Sequence, residues 1–202
     1  MNRKVYYKVI KKLLLENYKN NYTTIGNNKI TFLNNIESQS KTKVNDLINK
    51  DILIIIGSEL FYKKVIESLN FLNEKIPNLF IFVKDRISVI KEKSRTGTHA
   101  TLKNPILDLS MKSLSSTLFW SASLIAHEAM HVELHRLGKK TVGKEAESVC
   151  NIFQREVLKN IGASKKHIEY ISKFIDEDKS KEHWDLDGDG DYDQDDHNLR
   201  DW

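Results

Sequence analysis

The sequence is poor in the residues that cross-link or interrupt a chain. Only one of its 202 residues is cysteine and only two are proline, so the chain cannot form an internal disulfide and Pro-rich architectures are excluded. No uninterrupted apolar run is longer than the five residues 52–56, far short of the roughly 20 residues that a membrane-spanning helix needs. Residues 1–21 lack the apolar core of a secretory signal. We therefore expect a cytoplasmic protein without a membrane partner, and release or non-classical export stays open.

Acidic and basic residues are unevenly distributed along the chain. Residues 176–202 carry 12 acidic and 3 basic side chains, whereas the rest of the chain carries 16 acidic and 29 basic ones. The lysines of the basic part are scattered and form no recognisable binding module, so we disfavour a nucleic-acid partner. The acidic end is a candidate for cation binding, with a solvated tail as the alternative.

Hydrophobic periodicity divides the chain into three parts. Residues 1–50 are an N-terminal segment that begins with a predicted amphipathic helix, residues 51–180 form one predicted domain, and residues 181–202 are an acidic tail. Within the domain we expect strands at 51–56, 79–83, 87–90 and 105–110, a loop at 94–103, and helices at 58–75, 116–137, 144–160 and 164–179. The predicted fold is α+β and mostly helical, with a small antiparallel or mixed sheet packed on the 116–137 helix.

The strongest chemical signal is the motif His127-Glu128-Ala129-Met130-His131, which lies within an apolar helical pattern. Residues four apart on a helix lie on one face, so both imidazoles can bind a single zinc ion. Glu128 is turned about 100° from His127, where its carboxylate can take a proton from a metal-activated water. The motif therefore predicts a hydrolytic zinc site.

A catalytic zinc needs a third protein ligand, and the next predicted helix offers two carboxylates. Glu145 and Glu147 are two residues apart and face different sides, so only one of them can reach the metal. Glu147 lies about one turn into a helix that returns beside His131, and Asn151 follows it at i+4 on the same face. We expect Glu147 to be the third ligand and Asn151 to hydrogen-bond a ligating histidine.

The HExxH motif followed by Glu147-Ser148-Val149-Cys150-Asn151-x-Phe153 resembles the gluzincin metallopeptidases, especially the small ImmA/IrrE type with E-x-x-A-N-x-F. Cys150 stands where that family usually has alanine. The resemblance covers roughly residues 50–175 and implies a minimal zincin that hydrolyses peptide bonds in a peptide or protein substrate. It implies His127, His131 and Glu147 as zinc ligands and Glu128 as general base. No helix-turn-helix segment is recognisable, so a repressor-cleaving role is not supported.

Peptidases of this family bind their substrates along an edge strand of the sheet, by strand addition. The strand predicted at residues 105–110, just upstream of the HExxH helix, is the candidate edge. An ordinary core strand is the alternative at this position.

The acidic tail contains a pattern that resembles an isolated EF-hand calcium loop. Residues 185–196 match the twelve-residue loop, with Gly190 at position 6, where the sharp turn requires glycine. The loop positions that bind calcium are occupied by Asp185, Asp187, Asp189, Asp191, Asp193 and Asp196. We therefore expect Ca²⁺ as a second metal besides Zn²⁺.

Two alternative functions in which the protein is not an enzyme are also compatible with the sequence. The chain could be a metal-stabilised structural protein, for example a virion-associated one, in which zinc is bound but no substrate cleft is open. It could also be a calcium-dependent attachment module in which residues 184–202 make the contact. The sequence predicts neither the natural substrate nor the oligomeric state.

Overall fold

The computed structural model describes residues 30–34 and 53–175. This part of the chain is α+β, with mostly helical secondary structure and a small mixed sheet, as the sequence predicts. The strands are β1 (Ile30–Asn34), β2 (Leu53–Gly57), β3 (Val89–Lys93), β4 (Gly97–His99) and β5 (Ile106–Ser110). The helices are α1 (Glu59–Lys75), α2 (Pro77–Arg86), α3 (Met111–Leu114), α4 (Leu118–Arg136), α5 (Lys144–Asn160) and α6 (Lys165–Ser172). The predicted N-terminal helix and the acidic tail lie outside the described residues.

The sheet has the strand order β1-β2-β3-β5-β4. The first four of these strands are parallel, and β4 pairs antiparallel with β5. The continuous apolar sequence of β2, whose Leu53, Ile54 and Ile55 are buried, is typical of a parallel strand covered on both faces. Within the described residues no helix combines the length and the hydropathy that crossing a membrane requires.

The strand predicted at residues 79–83 is wrong, because these residues lie in helix α2. Pro77 does more than end α1, since it occupies the first turn of α2, where its fixed φ favours a helix and its missing N–H costs nothing. The apolar residues Leu79, Phe80, Phe82 and Val83 are all buried at helical spacing. A short, continuous apolar run is compatible with either period, and packing decides here for the helix.

The predicted position of the sheet edge is also wrong. The strand β5 lies between β3 and β4 and is therefore interior. The alternative for residues 105–110, an ordinary core strand, is confirmed. The edge strand on this side of the sheet is β4, which lies within the segment predicted as a loop and pairs with β5 through Thr98 opposite Leu107. This three-residue strand has no apolar alternation, so the sequence carries no strand signal there.

Helices α4 and α5 form the hairpin that positions the site. Thr117 caps the N-terminus of α4, where its hydroxyl accepts the Trp120 N–H at 3.2 Å, and nearly all of the central residues of the helix are buried. The connection to α5 contains Gly138 and Gly143, whose φ angles are positive, 66° and 88° respectively. Residues with a Cβ rarely adopt this backbone conformation. The predicted bounds of α5 agree with the structure.

Candidate metal centre

The two histidines of the motif face each other from successive turns of α4. His127 and His131 are 5% and 7% exposed, so both rings lie within the protein. Their Nε2 atoms are 3.2 Å apart. Because the residues are four apart on one helix, local helix geometry alone places the two nitrogens together.

Glu147 reaches these nitrogens from α5. Its Oε2 lies 3.5 Å from His127 Nε2 and its Oε1 lies 3.4 Å from His131 Nε2. Two ligand atoms bound to one tetrahedral zinc at about 2.0–2.1 Å lie about 3.3 Å from each other. The separation of 3.2 Å between the two Nε2 atoms therefore fits a single tetrahedral ion, and each Nε2 lies at a similar distance, 3.5 or 3.4 Å, from a different carboxylate oxygen of Glu147. Glu145, the other candidate, is exposed and does not contribute.

His131 is held in one tautomer by the connection between α4 and α5. Its Nδ1 lies 2.8 Å from the carbonyl oxygen of Thr141. A carbonyl can only accept a hydrogen bond, so Nδ1 carries the proton and Nε2 keeps its lone pair for a metal.

The charges around His127 favour a cation at the site. Burial lowers the pKa of His127, but the hydrogen bond and charge of Glu147 outweigh it, helped by the charge of Glu128 and the side chain of Gln154, so the pKa is raised. The same carboxylates that stabilise a proton on His127 would stabilise a divalent ion in its place.

Glu128 is oriented by the edge strand. Its side chain is 7% exposed, and Oε2 accepts a hydrogen bond from the Thr98 hydroxyl at 2.6 Å. The bond joins β4 to α4 and holds the carboxylate beside the imidazole pair. Thr98 could not be predicted as part of the site, because nothing in the sequence reveals that β4 exists.

Asn151 does not make the contact that its spacing suggests. Its Nδ2 donates to the carbonyl of Phe174 at 3.1 Å, and among the described residues it makes no hydrogen bond with either imidazole. The expectation that Asn151 supports a ligating histidine is therefore wrong. Gln154, about one turn further along α5, donates from its Nε2 to the Ser123 hydroxyl at 3.1 Å.

Cys150 adds a donor that the sequence analysis did not assign to the metal. The thiol is buried, and its sulfur lies within 4.8 Å of a ring nitrogen of both His127 and His131. Burial, followed by the charges of Glu147 and Glu128, raises the pKa of this thiol well above its usual range. In the metal-free protein Cys150 is therefore a neutral thiol in the wall of the site.

Similarity to known proteins assigns no function to this site, so its interpretation rests on the geometry described above. No protein-family model, curated protein or solved structure matches the chain. The six aspartates of the predicted calcium loop lie outside the described residues, as does the rest of residues 176–202.

Proposed function

We propose that the protein is a zinc-dependent metallopeptidase of the gluzincin type. The observation that carries the proposal is the convergence of His127, His131 and Glu147, in which the two Nε2 atoms lie 3.2 Å apart and each lies 3.4 or 3.5 Å from a Glu147 oxygen, beside the buried carboxylate of Glu128. These three side chains would hold the metal. When bound, zinc acidifies water toward neutral pH and polarises the carbonyl of the bond to be cleaved.

Glu128 is the proton carrier in this proposal. Its carboxylate takes a proton from the attacking water and delivers it to the leaving amine, and the Thr98 hydroxyl keeps it oriented throughout. Because Glu128 is nine-tenths buried, it is shielded from the competing protons of bulk solvent.

The edge strand β4 is the proposed docking site for the substrate backbone. It lies at one end of the sheet, and its Thr98 contacts Glu128, so a peptide added beside it would run close to the catalytic carboxylate. This replaces β5, which is interior, as the candidate substrate strand.

The test is a Glu128→Gln variant assayed on a pool of quenched fluorescent peptides, with the zinc content measured in parallel. We expect one zinc per chain at the site in both proteins and a loss of about 10²- to 10⁴-fold in activity in the variant. Glu145→Gln, an exposed carboxylate of α5, is the matched control and should stay fully active. Full activity in Glu128→Gln would refute the mechanism.

A second candidate function is a metal-stabilised structural protein, and the position of Cys150 favours it. A thiolate is a preferred zinc ligand, and His127, His131 and Cys150 form a buried group whose possible ligand atoms all lie within 4.8 Å of one another, so the thiolate could occupy the position that a catalytic site leaves open. Cobalt(II) substitution separates the two functions. A sulfur-to-cobalt charge-transfer band that Cys150→Ala abolishes, in a protein without peptidase activity, would favour the structural role. The absence of that band would favour the open, catalytic site.

Calcium binding by residues 185–196 is a further part of the proposal, and it rests on the sequence pattern alone. Calorimetric titration of the intact chain against a protein lacking residues 184–202 tests it. We expect one calcium site that the truncation removes, with peptidase activity retained. If the truncation instead abolishes binding to a partner, the tail functions as an attachment module.

A further inference from the structure

We infer that residues 136–144, a basic connection between α4 and α5, dock the acidic end of the same chain, residues 176–202. The basic connection carries four cationic side chains and no acidic one: Arg136, Lys139, Lys140 and Lys144. In the described part of the chain, no other nine consecutive residues carry four bases. This contact requires neither a bound zinc ion nor peptidase activity.

The cationic side chains of the basic connection are open to a partner. All four residues are exposed, and none of them forms an ion pair with another described residue. Leu137 and Val142, which lie between these cations in the sequence, are 44% and 76% exposed, so the surface also offers apolar contacts. Exposed cations interspersed with apolar side chains fit an acidic segment that contains apolar and aromatic residues.

The end of the described chain lies beside this surface. Ser148, in α5, donates a hydrogen bond from its hydroxyl to the carbonyl of Ile175, and Asn151 donates to the carbonyl of Phe174 at 3.1 Å. Ser148 follows Lys144 by four residues, which is about one helical turn, or roughly 6 Å. Residues 176–202 are therefore tethered about one turn of α5 from the basic connection.

The acidic end is complementary to the basic connection in charge and in side-chain type. It carries 12 acidic and 3 basic side chains, and its first three residues, 176–178, are all acidic. Trp184 and Leu186 lie among the acidic residues further along. Because a short tether gives the acidic end an effective concentration in the millimolar range, it is favoured over a separate acidic partner as the occupant.

Docking at this surface brings the acidic end to the metal centre. Thr141 lies within the basic connection, and its carbonyl oxygen lies 2.8 Å from His131 Nδ1. Glu147 follows Lys144 by three residues on α5. The contact thus links the charge of residues 176–202 to the connection that orients His131.

Carbodiimide cross-linking of the intact wild-type chain in calcium-free buffer tests the contact, because this reagent joins a lysine amine to a carboxylate only where the two groups touch. The cross-linked monomer is isolated, and its linked peptides are identified by mass spectrometry. Lys93 and Lys103, exposed lysines elsewhere in the fold, are the internal controls, and residues 176–202, at about 3.3 Å per extended residue, are long enough to reach them.

We expect acidic residues beyond 181 to cross-link to the basic connection about tenfold more than to the two control lysines, since several exposed ion pairs act together. About 0.5 M salt should remove this preference, because screening then acts within a few ångströms. Equal yields at all exposed lysines, or no cross-links to the basic connection, would overturn the inference. A preference that persists in high salt would show the effect of the tether alone and would overturn it as well.

A second measurement uses the full chain with Asp185→Asn, Asp187→Asn and Asp189→Asn combined. The acetylation rates of the lysines in the basic connection should rise several-fold in this variant, and those of the two control lysines should stay unchanged. Unchanged rates at the basic connection would contradict the inference. Cross-links found only between copies would assign the surface to a second copy of the chain and overturn docking within one chain.

Discussion

Replacing Thr98 by valine removes the hydrogen bond that orients Glu128 and keeps nearly the same side-chain volume. The bond is short, 2.6 Å, and its acceptor is a buried carboxylate. Hydrogen bonds to charged groups contribute about 1.5–3 kcal/mol, and each 1.4 kcal/mol corresponds to about a tenfold change in rate. If the bond persists in the transition state, Thr98→Val should therefore lower kcat about ten- to hundredfold.

The assay is steady-state hydrolysis of a fluorogenic peptide by zinc-loaded protein, with thermal unfolding of each variant measured in parallel. Thr98→Ser keeps the hydroxyl and is the matched control, with activity expected within a few-fold of the wild type. Because Thr98 acts through Glu128, we expect the loss in kcat and little change in KM. Unchanged kcat in Thr98→Val, combined with an inactive Glu128→Gln, would refute the positioning role.

Two further predictions concern the stability of the fold. Gly57→Ala should destabilise the protein by about 1–3 kcal/mol in urea unfolding, because the added Cβ would lie 2.5 Å from Phe61 Cδ1 and 2.9 Å from Glu92 Cβ. Gly97→Ala, where no atom lies within 4 Å of the new carbon, is its control, and equal losses would contradict the packing argument. The pKa of His167 is lowered from 6.5 by burial and by the charge of Lys166. When the pH is lowered, the unfolded chain is therefore protonated at a higher pH than the folded protein. The free energy of unfolding should be highest above pH 6.5 and should decrease as the pH drops toward the lowered pKa of His167. His167→Gln should weaken this pH dependence, as measured by urea unfolding between pH 7 and 5.

The parts of the site that could be predicted are those that local helix geometry determines. His127 and His131 converge because four residues make about one turn, and Glu147 joins them because a short connection returns α5 beside α4. The first step follows from local helix geometry, and the second needs only that α5 packs back against α4.

The supporting residues depend on contacts that the sequence does not encode locally. Thr98 reaches Glu128 only because a polar, three-residue strand pairs at the edge of the sheet. Asn151 and Gln154 both lie on the same face of α5 as Glu147. Their hydrogen-bond partners depend on how α4, α5 and the residues after α6 pack together. The helix at 77–86 was missed for a related reason, since its apolar run satisfies two periods and burial selects one.

The central claim is tested most directly by measuring zinc bound by Glu147→Ala in a Cys150→Ala background, where the thiol cannot replace the lost carboxylate. The reference proteins are Cys150→Ala alone and the double variant Cys150→Ala with Glu145→Ala, an exposed carboxylate of the same helix. We predict one tightly bound zinc at the HExxH site in both references and a loss of affinity of at least about tenfold when Glu147 is removed. Equal zinc affinity with and without Glu147 would contradict the account.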